Sequence, residues 1–452
     1  MTAAALILPV ESQVRELDAK LLLGCVAAER GFPVILGSRN HIGYRAARLP
    51  RGVYLAKGGR SQQRLFRILR RLGHEIALLD EEAVVRVEDE GIWRKRLAPA
   101  AMDLVSYLFA WGEDDAALLR REIAVGARAI HVTGNPRADL TRPDLRAFFA
   151  GEADAIRLRF GDFVLLNTNF AGINHLLPAM REERIAVASP ESGDLTPYLR
   201  EFAAHRMRIF DAFLRSVPLL AKAIHPRVLV VRPHPAEDAA TWRDVAEGSP
   251  NVRVIQGGNV VPWLLAARLV AANNCTTLLE ARLLGTPGVS YQPISDARLD
   301  MLLPKRVSHA ATSPDELAEL ARRAFAGGLP VRDDDEARCL RTHVAALEGP
   351  LASDRIVDAL IAAGRRERAP LRPAALAWLW GALDGAKRAR DKRRDAEGDE
   401  HAHSNALHAL RFPEIDCGEI DRRIARLASL TGRFARVRVE RRWPHVFALG
   451  AH

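Results

Sequence analysis

The sequence predicts an α/β protein of two doubly wound parallel-sheet domains that face each other across a cleft, followed by a helical C-terminal extension. Short apolar runs alternate with stretches of helical periodicity, which is typical of βαβ units. This alternation restarts near residue 151. A chain of 452 residues is also too long for a single hydrophobic core.

In the first half, a helix is predicted from Arg15 to Arg30, because its apolar residues have helical spacing and Gly31 follows as a stop signal. A basic helix is predicted at about 61–72, and another over Asp114 to Ile123. The predicted strands are AALILPV, PVILGS, GVYLAKGG, HEIALLDEE, DLVSYLFAWG and AIHVTGN. They define a first domain at residues 1–150.

In the second half, helices are predicted at about 197–223, 260–267 and 276–284. The predicted strands are FVLLNTNF, RVLVVRPHP, NVRVI, RLVAANN and PGVSY. The second domain is assigned to residues 151–365. Residues 366–452 form the extension, which is helical and partly charged and ends in the amphipathic segment FPEIDCGEIDRRIARLASL.

The charge balance favours an anionic partner. Lys and Arg number 66 against 56 Asp and Glu, a net charge of +10. Nucleic acid, an anionic membrane surface and a phosphorylated ligand all fit this charge, and solvated surface is the simpler alternative. The arginine-rich run from Lys387 to Arg394 is expected to contact anionic membrane loosely. Only 6% of residues are aromatic, which argues against stacking on nucleic acid.

The expected location is the cytoplasm, with peripheral contact to the inner face of its membrane. The four cysteines are scattered without metal-ligand or CxxC spacing, as in reduced cytosolic proteins. The N-terminus lacks the basic region of a signal peptide, and no stretch approaches ~20 uninterrupted apolar residues. His401 and His403 lack further ligands at metal-binding spacing, so no metal is expected.

The segment Arg232-Pro233-His234-Pro235 follows the predicted strand RVLVV. Two prolines cannot continue a sheet ladder, so His234 is held at the carboxyl end of that strand. Its imidazole, with Arg232 as a second cation, suits a phosphate that leaves during a reaction. The alternative is a turn in which the histidine caps a helix.

A second polar segment, Asn273-Asn274-Cys275-Thr276-Thr277-Leu278-Leu279-Glu280, joins a strand to a helix. Backbone N–H groups and the two threonine hydroxyls at a helix N-terminus form a phosphate site. Glu280 is placed to accept hydrogen bonds from ribose hydroxyls. The alternative is a capping box with Thr277 as N-cap and Glu280 three residues later.

Carboxylates follow the strand HEIALL as Asp80-Glu81-Glu82 and suit a general base for a hydroxyl. An exposed acidic loop is the alternative, and the cluster Glu88-Asp89-Glu90-Gly91 is a rival site. Weaker strand-end signals are Thr133-Gly134-Asn135-Pro136-Arg137, Asn167-Thr168-Asn169-Phe170, Glu11 and Arg15. No Walker loop or GxGxxG is present, which disfavours a nucleoside triphosphatase or a dinucleotide oxidoreductase.

Several segments together resemble the bacterial surface carbohydrate biosynthesis proteins over roughly residues 5–310. They are LILPVESQVRELDAKLLLG, LLDEEAVV, FAWGE, VTGNPRADL, LLNTNF, VRPHPAED and NNCTTLLEARLLGTPGVSYQP. The acidic, His-Pro and Ser/Thr motifs more distantly resemble sialyl-, polysialyl- and Kdo transferases of the GT-B fold, which use CMP-sugars. The segment VTGNPRADL also resembles CDP-glycerol-type polyol-phosphate transferases.

The resemblance implies a GT-B fold with an acceptor domain first and a nucleotide-sugar donor domain second. It implies Glu81 as the base, with His234 and Pro235, and Thr276 and Thr277, at the CMP phosphate. Ala83 stands where those families have glycine, so Asp80, Glu81 and Glu82 all stay candidates.

The expected reaction is an inverting, metal-independent transfer of a Kdo-like or sialic-acid-like sugar from a CMP-type donor to a glycan or lipid-linked glycan acceptor. The nucleotide-sugar is a substrate, and no cofactor is expected. The alternatives are a UDP-sugar 2-epimerase or a polyol-phosphate transferase of the same fold, and, from another class, a non-catalytic nucleic-acid or assembly protein.

Overall fold

The computed structural model of the chain describes residues 3–58, 62–87, 99–123, 129–178, 196–329, 334–366, 375–396, 409 and 411–451. The strands within these residues form two sheets. In the same residues, no helix is both long enough and apolar enough to cross a membrane.

The first sheet contains six parallel strands, and helices follow them along the chain. The strands are β1 (Ala5–Val10), β2 (Val34–Ser38), β3 (Gly52–Ala56), β4 (Glu75–Leu79), β5 (Tyr107–Ala110) and β6 (Ala129–Val132). The helices are α1 (Gln13–Glu29), α2 (Arg39–Tyr44), α3 (Gln63–Arg71), α4 (Pro99–Met102), α5 (Glu113–Glu122) and α6 (Pro136–Asp139). Every residue of β1 is buried, as in a parallel sheet with both faces covered.

The second sheet repeats this pattern with six strands that are all parallel. The strands are β7 (Phe163–Asn167), β8 (Val228–Arg232), β9 (Val252–Val254), β10 (Leu269–Ala272), β11 (Gly288–Tyr291) and β12 (His309–Ala311). The helices are α7 (Ala150–Phe160), α8 (Thr196–Ile224), α9 (Ala239–Ala246), α10 (Val261–Ala266), α11 (Thr276–Leu284), α12 (Leu302–Arg306) and α13 (Pro314–Phe325).

The C-terminal part of the chain returns to the first domain. It contains α14 (Asp334–His343), α15 (Ala352–Ala362), α16 (Ala375–Ala396), α17 (Cys417–Thr431), β13 (Val437–Trp443) and β14 (Val446–Ala451). The second domain was predicted to extend to residue 365, but Leu340, Ile356 and Leu360 are buried in the core of the first domain. An amphipathic helix buries its apolar face against a neighbouring apolar surface, and here the first domain provides that surface.

The extension is not only helical, because its last described residues form an antiparallel hairpin. Strand β14 pairs with β2 and thereby covers that edge of the first sheet. The close approach requires Gly37, since a Cβ atom there would lie 2.2 Å from the carbonyl oxygen of His445. The hairpin was missed by the sequence prediction, which ended the chain on a helix.

The strand order of each sheet identifies where a ligand would bind. The first sheet runs β13-β14-β2-β1-β3-β4-β5-β6, and the second runs β12-β11-β10-β7-β8-β9. In each sheet, the side on which successive strands are added changes next to the first strand, β1 or β7. This change opens a crevice between β1 and β3 and another between β7 and β10. The prediction of two doubly wound domains in a GT-B arrangement is confirmed.

Candidate active site between the two domains

The loop after β8 is built around the buried carboxylate of Glu237. That carboxylate accepts hydrogen bonds from the Thr168 hydroxyl (2.8 Å), the backbone amides of Phe170 (2.9 Å) and His234 (3.1 Å), and the Trp242 indole (3.0 Å). Burial raises the pKa of Glu237 above its ordinary value, and these hydrogen bonds act in the opposite direction. The carboxylate therefore fixes the position of His234.

Glu237 lies just before the next helix but does not cap it. Asp238 caps that helix instead, and its side chain accepts a hydrogen bond from the Ala240 amide at 2.9 Å. The sequence signal for this role is a carboxylate two residues after Pro235 at a strand end, because the amides of such a loop need an acceptor.

His234 has an exposed side chain at the carboxyl end of β8, as predicted from the two prolines. Its Nδ1 atom accepts a hydrogen bond from the Ala236 amide at 3.1 Å. This bond places the proton of the neutral imidazole on Nε2, which is then a donor. Pro235 is half-buried beside it. The geometry suits donation to an anionic group.

Arg232 is buried at the end of β8 and contacts the loop that follows β9. One of its terminal nitrogens donates to the Gly258 carbonyl at 2.7 Å, and its guanidinium lies 5.5 Å from the centre of the Trp263 ring. Burial lowers the pKa of Arg232 to about 10, so the group is still a cation at neutral pH. Among the described residues its Nε atom has no hydrogen-bond partner. The arginine thus anchors the loop, and its role as a phosphate contact remains a prediction.

Helix α11 begins at Thr276, with Cys275 as N-cap and no side-chain cap hydrogen bond. The capping box considered from sequence is wrong, because Thr277 is the second helical residue and Glu280 bonds elsewhere. The hydroxyl of Thr277 and the Oε2 atom of Glu280 are buried and have no partner among the described residues. Amides of a first helical turn also lack partners within the helix. This helix end therefore has two buried polar atoms without a partner among the described residues, and its role as a phosphate site remains a prediction.

Asn169 and Asn274 build the loops at the β7–β10 crevice. Asn169 accepts a hydrogen bond from Arg206 at 2.6 Å and donates to the Asn273 carbonyl at 2.9 Å. Asn274 has a φ of 46°, and its side-chain oxygen accepts from Gln292 at 3.1 Å. Both side chains form hydrogen bonds within the protein, and their contact with a ligand remains a prediction.

Glu81 is enclosed by cations from two elements of the first domain. Its carboxylate lies 4.0 Å from the Lys20 ammonium and 3.8 Å from the Arg137 guanidinium, and its side chain is 9% exposed. The Asn135 amide lies at hydrogen-bond distance, 3.5 Å from Oε2. The alternative of an exposed acidic loop is therefore wrong for Glu81, which lies in an enclosed polar environment.

Glu82, the next residue, differs because its side chain is 43% exposed. It pairs with Arg15, whose NH1 atom lies 3.1 Å from Oε1. The other terminal nitrogen of Arg15 donates to the Thr276 hydroxyl at 3.3 Å, in the second domain. Glu82 is thus the carboxylate of the pair that is open to solvent. The rival acid Glu90 lies outside the described residues.

Arg137 connects the two domains at the centre of the site. It donates to the Oε1 atom of Glu280 in the second domain while it lies beside Glu81 in the first. A single buried cation therefore serves two carboxylates, one from each domain. Sequence reasoning had placed Arg137 only within a weak strand-end signal, because nothing in a sequence shows which acid a cation will meet.

A further cluster of charges surrounds the β1–β3 crevice. Lys57 lies 2.7 Å from Glu11 and 3.1 Å from Glu16, and Lys20 lies 3.2 Å from Glu16. Because Lys20 also approaches Glu81, the cluster extends from the ends of β1 and β3 to the acidic loop. The predicted strand-end residues of the first domain are thus brought together in one network.

These features define a two-domain protein of GT-B architecture with a polar site where the domains meet. No protein-family model matches the sequence, and no curated protein matches it. Among solved structures, it is similar to the UDP-GlcNAc 2-epimerase of Methanocaldococcus jannaschii at 15% identity and a TM-score of 0.46, covering 79% of this chain and 99% of that chain.

Two other solved structures are similar. The UDP-GlcNAc 2-epimerase of Neisseria meningitidis matches at 13% identity and a TM-score of 0.48, covering 79% of this chain and 100% of that chain. The wall teichoic acid polymerase TagF matches at 13% identity and a TM-score of 0.41, covering 65% and 69%.

Proposed function

We propose that this chain is an enzyme of surface polysaccharide biosynthesis that binds a nucleotide-activated sugar between its two domains. The observation that carries the proposal is the N-terminus of α11, where the buried Thr277 hydroxyl and the Oε2 atom of Glu280 have no partner among the described residues. Helix N-termini bind phosphate through their amides and dipole. This one lies beside the crevice at which doubly wound sheets bind nucleotides.

In this proposal, His234 supplies the second side of the phosphate site. Strands β10 and β8 are separated by β7, so their ends are about 10 Å apart. One nucleotide can span that distance, with its phosphate between the α11 amides and the Nε2 donor of His234. Stabilising charge on a departing phosphate is the largest catalytic contribution that such a site can make. The Oε2 atom of Glu280 is placed to accept a ribose hydroxyl.

For the reaction itself, we propose inverting transfer of a Kdo-like or sialic-acid-like sugar from a CMP-type donor. The first domain would present the glycan or lipid-linked glycan acceptor, and Glu81 would remove the proton of its hydroxyl. General-base assistance of this kind contributes about 10²–10⁴-fold. The proposal for the donor nucleotide rests on the motifs around His234 and Thr276 alone.

A UDP-sugar 2-epimerase is the second candidate, and the enclosure of Glu81 favours it. A carboxylate that is 9% exposed between Lys20 and Arg137 is hard for a polymer hydroxyl to reach. It suits chemistry on a small molecule held between the domains. This candidate needs no acceptor, so incubating UDP-GlcNAc with the protein alone should yield the 2-epimer.

The test is a thermal-shift panel of CMP, CDP, UMP, UDP and GDP. A nucleotide at a hundredfold over its Kd should stabilise the protein by about 2.7 kcal/mol. CMP should give the largest thermal shift. If UDP gives the largest shift instead, the result points to the epimerase, and if CDP does, it points to a polyol-phosphate transferase.

His234→Ala should abolish the shift without unfolding the protein, because the side chain is exposed. His225→Ala is a matched control, since His225 is also exposed and also precedes a proline, but lies at the opposite end of β8. The proposal fails if no nucleotide stabilises the protein, or if both variants bind as the wild type does.

A further inference from the structure

Helix α16 lies unusually close to the first domain. The Trp378 indole donates to the Ala47 carbonyl at 2.7 Å, and Arg388 donates to the Gly43 carbonyl at 2.8 Å. At Gly385, a Cβ atom would lie 2.4 Å from the Tyr44 carbonyl oxygen, so only glycine permits this contact. One face of the helix is therefore fixed, and the opposite face is turned to solvent.

The first half of that opposite face is apolar. Leu376, Leu379, Trp380 and Leu383 are 79%, 51%, 45% and 62% exposed. Their spacing of i, i+3, i+4 and i+7 places them in one line along the helix. Of the seven large apolar side chains that are exposed in the described residues, five belong to α16. Such a concentration marks an interaction surface rather than scattered surface residues.

The same line continues as a row of cations. Lys387, Arg390 and Arg394 follow at helical spacing and are exposed. We call the seven residues from Leu376 to Arg394 in this line the α16 stripe. The buried carboxylate of Asp384 lies on the domain side of the helix, where it pairs with Arg388 at 2.7 Å and Arg64 at 2.6 Å.

The surface beside the stripe is also basic. The neighbouring helix α3 exposes Arg64, Arg67, Arg70 and Arg71, and the Arg71 guanidinium lies 5.1 Å from the centre of the Trp380 ring. On another side of α16, a cavity of about 570 Å³ is lined by His41, Tyr44, Arg45 and Arg48. Cations therefore surround the apolar half of the stripe.

We propose that the α16 stripe docks onto an anionic lipid bilayer, with the helix lying in the plane of the membrane surface. Leucine and tryptophan side chains would enter the boundary between headgroups and acyl chains, and the cationic half would meet lipid phosphates. The cavity beside the helix can accommodate an anionic headgroup. A second copy of the chain is a poorer occupant, because its own cationic row would be brought against this one.

The test is flotation of the full chain with vesicles of phosphatidylcholine, alone or mixed with phosphatidylglycerol. We expect binding only to the mixed vesicles, with loss at high salt. The triple variant Lys387→Gln/Arg390→Gln/Arg394→Gln should bind about 100-fold more weakly, because the loss of each cation lowers the affinity for anionic vesicles by roughly tenfold or less. Arg200→Gln/Arg208→Gln/Arg243→Gln, at exposed arginines of the second domain, is the matched control.

The apolar half is tested by Leu376→Gln/Leu379→Gln/Leu383→Gln, which should weaken binding about tenfold or more. Leu158→Gln is its control, because Leu158 is 91% exposed on α7, away from the stripe. Binding by both stripe variants at the level of their controls would overturn the proposal. The proposal would also be overturned if the wild type did not bind the vesicles and sedimented as a dimer, while the leucine variant sedimented as a monomer.

Discussion

Two neighbouring carboxylates at the end of β4 have different surroundings although they have almost the same chemistry. Glu81 is enclosed between Lys20 and Arg137, whereas Glu82 is 43% exposed and pairs with Arg15. A general base must reach the proton that it removes, which favours the open residue, but it must also be held in place, which favours the enclosed one. The resemblance of the acidic motif assigns the role to Glu81.

We expect Glu81→Gln to lower kcat by about 10²–10⁴-fold while nucleotide binding stays nearly unchanged. Glutamine keeps the size of the side chain but cannot accept the proton. The matched variant Glu82→Gln should keep most of the activity. Steady-state kinetics with a saturating donor, together with nucleotide thermal shifts, measure both quantities. An inactive Glu82→Gln beside an active Glu81→Gln would transfer the role of base to Glu82.

At the scale of elements, the turn from β5 to α5 supports this acidic loop. Asp115, the third residue of α5, accepts a hydrogen bond from the Trp111 amide at 3.0 Å. The Trp111 indole in turn donates to the Asp80 carbonyl at 2.7 Å, next to Glu81. Burial, aided by the nearby charge of Asp80, raises the pKa of Asp115 from 3.8 to about 7. A carboxyl group that holds the turn therefore keeps its proton to near neutral pH.

This raised pKa predicts a stability that falls with pH. Below about pH 4 both the folded and the unfolded chain carry the proton, whereas between pH 4 and 7 only the folded chain does. Unfolding is therefore favoured progressively as pH rises, by up to about 4 kcal/mol. Asp115→Asn has no proton to lose, so its stability relative to wild type should increase from pH 5 to pH 8.

Denaturant unfolding at four pH values measures this difference. Asp114→Asn is the control, because Asp114 is a partly exposed residue of the same helical turn that pairs with Arg86. If the wild type and Asp115→Asn keep a constant difference across the range, the proton is not on Asp115.

Elements with a strong local pattern could be predicted from the sequence. Helix α11 begins and ends where predicted, at Thr276 and Leu284, since polar residues precede it and Gly285 follows in a left-handed conformation. Strand β13 was missed although VRVERRW partly alternates apolar and charged residues. Its hairpin partner β14 pairs with β2 across about 400 residues of sequence, and such a long-range pairing leaves no local trace.

Tertiary partners could not be predicted in the same way. Three features depend on segments far apart in sequence: the side of the molecule on which α14 and α15 pack, the hydrogen bonds of Glu237 with Thr168 and Phe170, and the contact of Arg137 with Glu280. Periodicity shows that a helix has an apolar face, but it does not show which domain covers that face. The positions of the candidate site residues were therefore predictable as strand ends, and their partners were not.

For the whole molecule, the polar contacts between the domains centre on cations, and apolar residues of the second domain such as Leu279 and Leu303 pack against the first domain's core beside them. Arg137 bonds Glu280, Arg15 bonds the Thr276 hydroxyl at 3.3 Å, and Arg146 bonds the Leu284 carbonyl at 2.9 Å. Glu280 therefore belongs both to the proposed phosphate site and to the contact between the domains.

Arg137→Gln should destabilise the protein by about 3–5 kcal/mol, because it leaves the buried carboxylates of Glu81 and Glu280 without their shared cation. Adding Glu280→Gln should recover part of this loss, so the double-mutant cycle should give a coupling of about 1–3 kcal/mol. The control cycle uses Arg298 and Glu201, an exposed pair within the second domain that should couple only weakly. Small-angle X-ray scattering should show a larger radius of gyration for Arg137→Gln than for Arg298→Gln. Additive effects at Arg137 and Glu280, with no change in that radius, would mean that this ion pair does not hold the domains together.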